Sequence, residues 1–176
     1  MKKLKRKKNP ILPLVLILFL SLGPWESFAQ EKFIIAGKGT AAFKRRERSN
    51  IGDLQEHMLS LAESEGVSLS TGETPFMDGA YFDSFVISDL VKYSGPFQGY
   101  FMITKNEDTI FARYEGQLTT SPDESGQPQT SLSLTFSWIK GTGSYTNIQG
   151  GGSMIGHYIS NIIYTFEWQG EYWIPD

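Results

Sequence analysis

Apolar and polar positions alternate with a period of two along much of this chain. Leu132, Leu134, Phe136 and Trp138 interleave with Ser131, Ser133, Thr135 and Ser137, which is the mark of a strand with one buried face. Ile162, Tyr164, Phe166 and Trp168 interleave with Ile163, Thr165, Glu167 and Gln169 in the same way, with a more mixed outer face. A third run covers Thr109–Thr119. Ile110, Ala112, Tyr114, Gly116 and Leu118 make its natural core face, and Phe111, Arg113, Glu115 and Gln117 its solvent face. A one-residue slip would exchange the two and bury Arg113 and Glu115 as a pair. Ala80–Val91 also alternates but carries aromatics on both sides, Tyr81, Asp83, Phe85 and Ile87 against Phe82, Ser84, Val86 and Ser88. Either one side lines an interior while the other packs outside, or the strand bends midway. Phe33–Phe43 and Gln98–Ile103 read as further strands.

Turn chemistry separates these runs. Asp78-Gly79, Ser94-Gly95-Pro96 and Asn106-Glu107-Asp108 mark tight connections, Ser68–Gly79 a turn-rich one, and Thr120–Thr130 a polar loop. Trp173-Ile174-Pro175 closes the chain at or after a last strand. One segment breaks the period. In Ser49–Glu65, Leu54, Met58 and Leu61 recur at i, i+4 and i+7, Ser49 or Asn50 is a suitable cap, and Gly66 a suitable stop, so a short helix is expected near 50–65. Between the first strand and this segment, Lys44-Arg45-Arg46-Glu47-Arg48 reads as a solvated strand end in preference to a basic docking patch.

The densest glycine signal lies in Ser137–Gly156. Gly141 and Gly143 flank Thr142, and Gly150, Gly151 and Gly152 form a second cluster, with Tyr145 and Ile148 between them. Glycines in a strand region mark bulges or tight bends at barrel corners. The expected order is strand, corner, short strand, strand, with Gly141, Gly143, Tyr145 and Gly150 as structural residues. Gly141-Thr142-Gly143-Ser144-Tyr145, followed by Ile148 and Gly150, resembles the Gly-Thr-Gly-x-aromatic signature of the allene oxide cyclase and dirigent barrel superfamily. The ending Glu167-Trp168-Gln169-Gly170-Glu171-Tyr172 is similar to that of bacterial secreted proteins with the same glycine pattern. The resemblance implies an all-β fold, an antiparallel eight-stranded barrel. It also implies the activities of that superfamily, cyclisation of a fatty-acid epoxide or steering of phenolic radical coupling, without matching any of its functional residues.

The N-terminus changes the picture of where the barrel works. Lys2, Lys3, Lys5, Arg6, Lys7 and Lys8 precede an apolar run, Ile11–Leu22, and Ser27-Phe28-Ala29 fits a small-x-small cleavage site. Met1–Gln30 therefore reads as a targeting segment cut after Ala29, giving an exported, periplasmic or secreted, single domain over 30–176. A spanning helix needs about 20 apolar residues, so no stable membrane span is expected after cleavage. The segment removes six basic residues and one acid from totals of 16 and 19, leaving 10 basic against 18 acidic groups, a net charge of −8. Such a surface repels phosphate backbones and excludes nucleic acid as a natural partner. Cysteine is absent, so the domain relies on its core without disulfides.

Catalytic motifs are absent too. The only histidines are His57 and His157, which excludes a histidine-rich or thiolate metal site, and no calcium loop, nucleophile elbow, dinucleotide fingerprint or phosphate loop occurs. No cofactor or metal is expected. Glu56-His57 invites an acid–base reading, but an exposed pair is the simpler one, and His157 is a candidate for a barrel mouth. If an inward polar group served chemistry, the candidates are Arg113, Tyr114, Glu115 and Glu167. Three functions follow from a barrel of this kind: binding of one small apolar or phenolic ligand in the lumen, a cyclase or isomerase, or a non-catalytic envelope protein with a filled interior.

Overall fold

The computed structural model describes residues 30–175; the expected targeting segment and its cleavage site lie outside the described residues. The described chain forms eight strands: β1 (Phe33–Asn50), β2 (His57–Ser70), β3 (Ala80–Val91), β4 (Gly95–Lys105), β5 (Asp108–Pro122), β6 (Pro128–Gly141), β7 (Gln149–Tyr158) and β8 (Ile163–Trp173). Each pairs antiparallel with its neighbour in sequence, and β1 closes on β8 to complete a barrel. Closure leaves no bare sheet edge.

The inward faces follow the alternation on β5, β6 and β8, except that Ile162 lies before β8 and is exposed. Ile110, Ala112 and Tyr114 are buried in the interior with Leu132, Leu134, Phe136, Trp138, Tyr164, Phe166 and Trp168. Arg113, Glu115, Gln117 and Glu167 point outward and are exposed. On β3, the first alternative holds: Phe82, Ser84 and Ser88 are buried, while Tyr81, Phe85 and Ile87 are exposed on the outside.

Large inward rings are fitted by small residues across the register. Gly37 and Gly39 of β1 oppose Trp168 and Phe166 of β8. A Cβ at either glycine would lie 2.2 Å and 2.4 Å from those rings. Gly99 opposes Tyr114 in the same way. This pairing of small with large side chains fills a narrow barrel without splaying it.

Two expectations are corrected. The helix near 50–65 does not form. β1 runs on to Asn50, a short loop follows, and His57–Ser70 is a strand paired with both β1 and β3. Its inner face is Ser60, Ala62, Ser64, Gly66 and Ser68, and its outer face carries Leu59, Leu61, Val67 and Leu69. The period of two is present, but with the small residues inside, so the Leu54–Met58–Leu61 spacing imitated a helix. Gly66, expected as a helix stop, sits within β2, where a Cβ would meet the Thr40 carbonyl oxygen of β1.

The short strand expected between the glycine clusters is the second correction. Gly143–Tyr145 is a single 3-10 turn, and Gly150–Gly152 lie inside β7. Gly143 has φ +54°, in the left-handed region that favours glycine. A Cβ there would also strike the Asp108 carboxylate, which accepts the Ser144 N–H at 2.9 Å. Tyr145 and Ile148 do turn inward, Ile148 into the core and Tyr145 against Phe76 and Tyr172.

Candidate functional site

The two ends of the barrel differ. One end is sealed by the β2–β3 connection, whose Phe76 inserts its ring and is 1% exposed. That ring meets Trp138, Tyr145, Trp168 and Tyr172 at centroid distances of 4.9–6.0 Å, the spacing of favourable aromatic pairs. The indole N–H of Trp168 donates to Ser68 Oγ at 3.0 Å, and that of Trp138 to the Glu171 carbonyl at 3.2 Å. This half is solid.

The other half is hollow. Above a floor of Phe82 and Phe101 lies a cavity of about 390 Å³. It opens at the end formed by the β1–β2, β3–β4, β5–β6 and β7–β8 loops. One wall is aromatic and aliphatic, with Phe97, Tyr114, Leu132 and Tyr164; the other, from β2 and β3, is lined by serines. The register stacks these serines in rows. Ser64 lies opposite Ser84, and nearer the mouth Ser60 lies opposite Ser88. The inner pair is engaged: the Ser64 and Tyr164 hydroxyls meet at 2.7 Å, and those of Ser84 and Tyr114 at 2.8 Å. Burial pushes the Tyr114 and Tyr164 phenols well above the ordinary value, partly offset by their serine partners. They remain neutral hydrogen-bonding groups at any physiological pH. No carboxylate is among the lining residues.

The mouth is cationic, and a β-bulge makes it so. Up to Phe43 the odd-numbered residues of β1 face inward. The pairing with β2 then shifts between Phe43 and Arg45, so one extra residue reverses the side-chain parity. Arg46 and Arg48, not Arg45 and Glu47, line the lumen. The outward basic groups are neutralised: Lys44 pairs with Glu65 at 2.9 Å, and Arg45 with Glu63 at 2.7 Å. The Arg46 guanidinium instead lies over the Phe43 ring, 3.5 Å from its centroid, with the Tyr158 ring at 6.0 Å. Its Nη2 is buried and finds no acceptor among the described residues. Burial is the largest influence on its pKa and lowers it, yet an arginine keeps its charge.

Of the four inward polar candidates, Arg113, Tyr114, Glu115 and Glu167, only Tyr114 reaches this cavity. Arg113, Glu115 and Glu167 stand on the outer face. His157 also faces outward, its Nε2 3.4 Å from the Thr165 hydroxyl, and does not line the mouth. His57 does not act with Glu56. Its Nδ1 meets Asp53 and its Nε2 meets Asp89 Oδ1 at 2.6 Å, with the side chain 15% exposed. This bridge ties the β1–β2 loop to β3 beside the mouth. The basic run 44–48, read as a solvated strand end, is divided by the bulge into outward ion pairs and inward mouth residues.

The fold and cavity together define a small antiparallel β-barrel with a half-filled lumen. Neither the models of known protein families nor the curated proteins include a match to the chain.

Proposed function

We propose that the protein is an exported binder of one small apolar or phenolic ligand, held in the open half of the barrel. The observation that carries this reading is the division of the interior. The Phe76 end is packed with rings, while the opposite half keeps about 390 Å³ open behind an accessible mouth. That volume falls within the roughly 300–1,000 Å³ of small-molecule sites, which also combine apolar walls with a few polar groups. Export rests on the basic and apolar pattern of Met1–Gln30. The resemblance of Gly141–Gly150 to allene oxide cyclase and dirigent barrels agrees with a lumen that accepts an apolar or phenolic molecule. A cyclase that moved protons would need an inward acid or base of suitable pKa. The neutral phenols of Tyr114 and Tyr164 and the absence of lining carboxylates favour binding over such catalysis. The cavity likewise weighs against a wholly filled barrel.

The test is fluorescence titration of the 30–176 protein with the neutral probe N-phenyl-naphthylamine. The expected result is saturable binding near one probe per chain, lost in Ala62→Phe, which fills the cavity from the β2 wall. Circular dichroism establishes that the variant is folded. Absence of saturable binding, or equal binding by the folded variant, would overturn the proposal.

A further inference from the structure

The acidic surface and the cationic mouth point in opposite directions. The 30–176 chain carries a net charge of −8, and its outward Lys44 and Arg45 are taken up by Glu65, Glu63 and Glu47. The two arginines turned inward by the bulge have no carboxylate within ion-pair distance among the described residues. Arg46 is the more telling of the two. A guanidinium offers five N–H donors in a planar fork, and a buried donor without an acceptor is destabilising. Stacking on Phe43 satisfies the face of the group but none of its N–H donors. The fork is therefore short of an acceptor at the rim of an apolar chamber.

Its surroundings also suit a particular ligand shape. Arg48 lies opposite Ser60, and Ser60 opposite Ser88, so one row across the sheet places a cation beside two hydroxyls. Both serines line the cavity, and among the described residues neither hydroxyl has a side-chain partner. The next row inward begins with Arg46 opposite Ala62. Deeper still, the walls become the rings of Phe82, Phe101 and Tyr164. Between the two, the Ser64 and Ser84 hydroxyls are already engaged by Tyr164 and Tyr114, so the polar groups still without a side-chain partner lie toward the mouth and the floor offers rings.

We propose that the lumen selects an amphipathic carboxylate, its head group on Arg46 near the Ser60–Ser88 row and its apolar tail toward Phe82 and Phe101. This deepens the lumen-binding reading and rests on it. A carboxylate supplies acceptors in the planar geometry that an arginine fork matches. It enters without a counter-cation because no lining acid opposes it. A neutral ligand of the same shape fills the chamber but leaves the fork unsatisfied.

The experiment compares phenylhexanoate with phenylhexanol as competitors of the neutral naphthylamine probe, at pH 7.5 and low salt. The expected result is about 10- to 100-fold tighter binding of the carboxylate, the range for hydrogen bonds to a charged group. Arg46→Met is expected to abolish this preference by weakening the acid far more than the alcohol. Arg46→Lys should restore it in part, and Arg45→Met, one position away but outside the barrel, should leave it intact. Equal affinity for acid and alcohol in the native protein overturns the head-group assignment while leaving lumen binding in place. So does a preference that survives in folded Arg46→Met. Failure of the probe and both competitors to bind overturns lumen binding itself, and this assignment with it.

Discussion

His57 is the residue whose behaviour follows most directly from its surroundings. Both ring nitrogens face carboxylates, Asp89 and Asp53, so the imidazole satisfies both only as the cation. The bond to Asp89, then that to Asp53, raises its pKa above the ordinary 6.5. The bond to His57 is in turn the main reason Asp53 is held low. A raised histidine pKa contributes stability that is complete below the unfolded value and lost as pH rises through the folded one. The lowered Asp53 acts in the opposite sense, its share being lost as pH falls through its folded pKa. The bridge is therefore strongest in mildly acid solution. Thermal melts between about pH 5 and pH 9, bracketing the ordinary histidine value, should show Tm falling as His57 deprotonates. His57→Gln should lack that step and His157→Gln should retain it; a step unchanged in His57→Gln would contradict this account. At the same scale, Tyr114 was legible as an inward residue because its neighbours Ile110 and Ala112 are apolar. Arg46 was not, since nothing in a run of charged side chains announces which of them turns inward.

At the scale of elements, two connections do more than join strands. The β2–β3 connection carries Phe76 into the barrel and closes one end. Its ring packs among Trp138, Tyr145, Trp168 and Tyr172, so truncation removes contacts with four rings and leaves a cavity between them. Phe76→Ala should lose about 3–5 kcal/mol of stability, measured by urea denaturation, and a loss below 1 kcal/mol would show that the connection is not a plug. The bulge in β1 is the second device. It reverses parity between Phe43 and Arg45 and converts a charged strand end into a mouth. Strand existence was legible on β5, β6 and β8 because large apolar residues fill their inner faces. It was obscured on β2, where Ser60, Ala62, Ser64 and Gly66 face inward and the leucines face out. Burial reads as hydrophobic only where the barrel needs bulk, and β2 borders the hollow half.

Over the whole molecule, closure is the organising event. β1 pairs through Gly37–Asn50 with β2 and through Phe33–Ala42 with β8, so the first and last strands meet only when the sheet has curled fully. Removing β8 by ending the chain before Ile163 would strip Tyr164, Phe166 and Trp168 from the core and bare the edges of β1 and β7. Open edges of this length template intermolecular pairing. Size-exclusion chromatography of the truncated protein is expected to show aggregates in place of a defined species. A folded, discrete species after truncation would mean that closure is dispensable.

Side-chain alternation was enough to determine a mainly β chain and the inner faces of its bulkiest strands, while the eight-stranded barrel was an expectation drawn from the resemblance of the glycine-rich run and the β2 segment reads as a helix. Alternation is a local property, carried by each residue and its neighbours two places away. The hollow half, its serine wall and its arginine mouth were decided only in three dimensions. They depend on which strands lie opposite one another and on a one-residue shift of pairing in β1. A bulge redirects every side chain after it, and its position is set by the register of β1 on β2 and not by the residue types in the run 44–48.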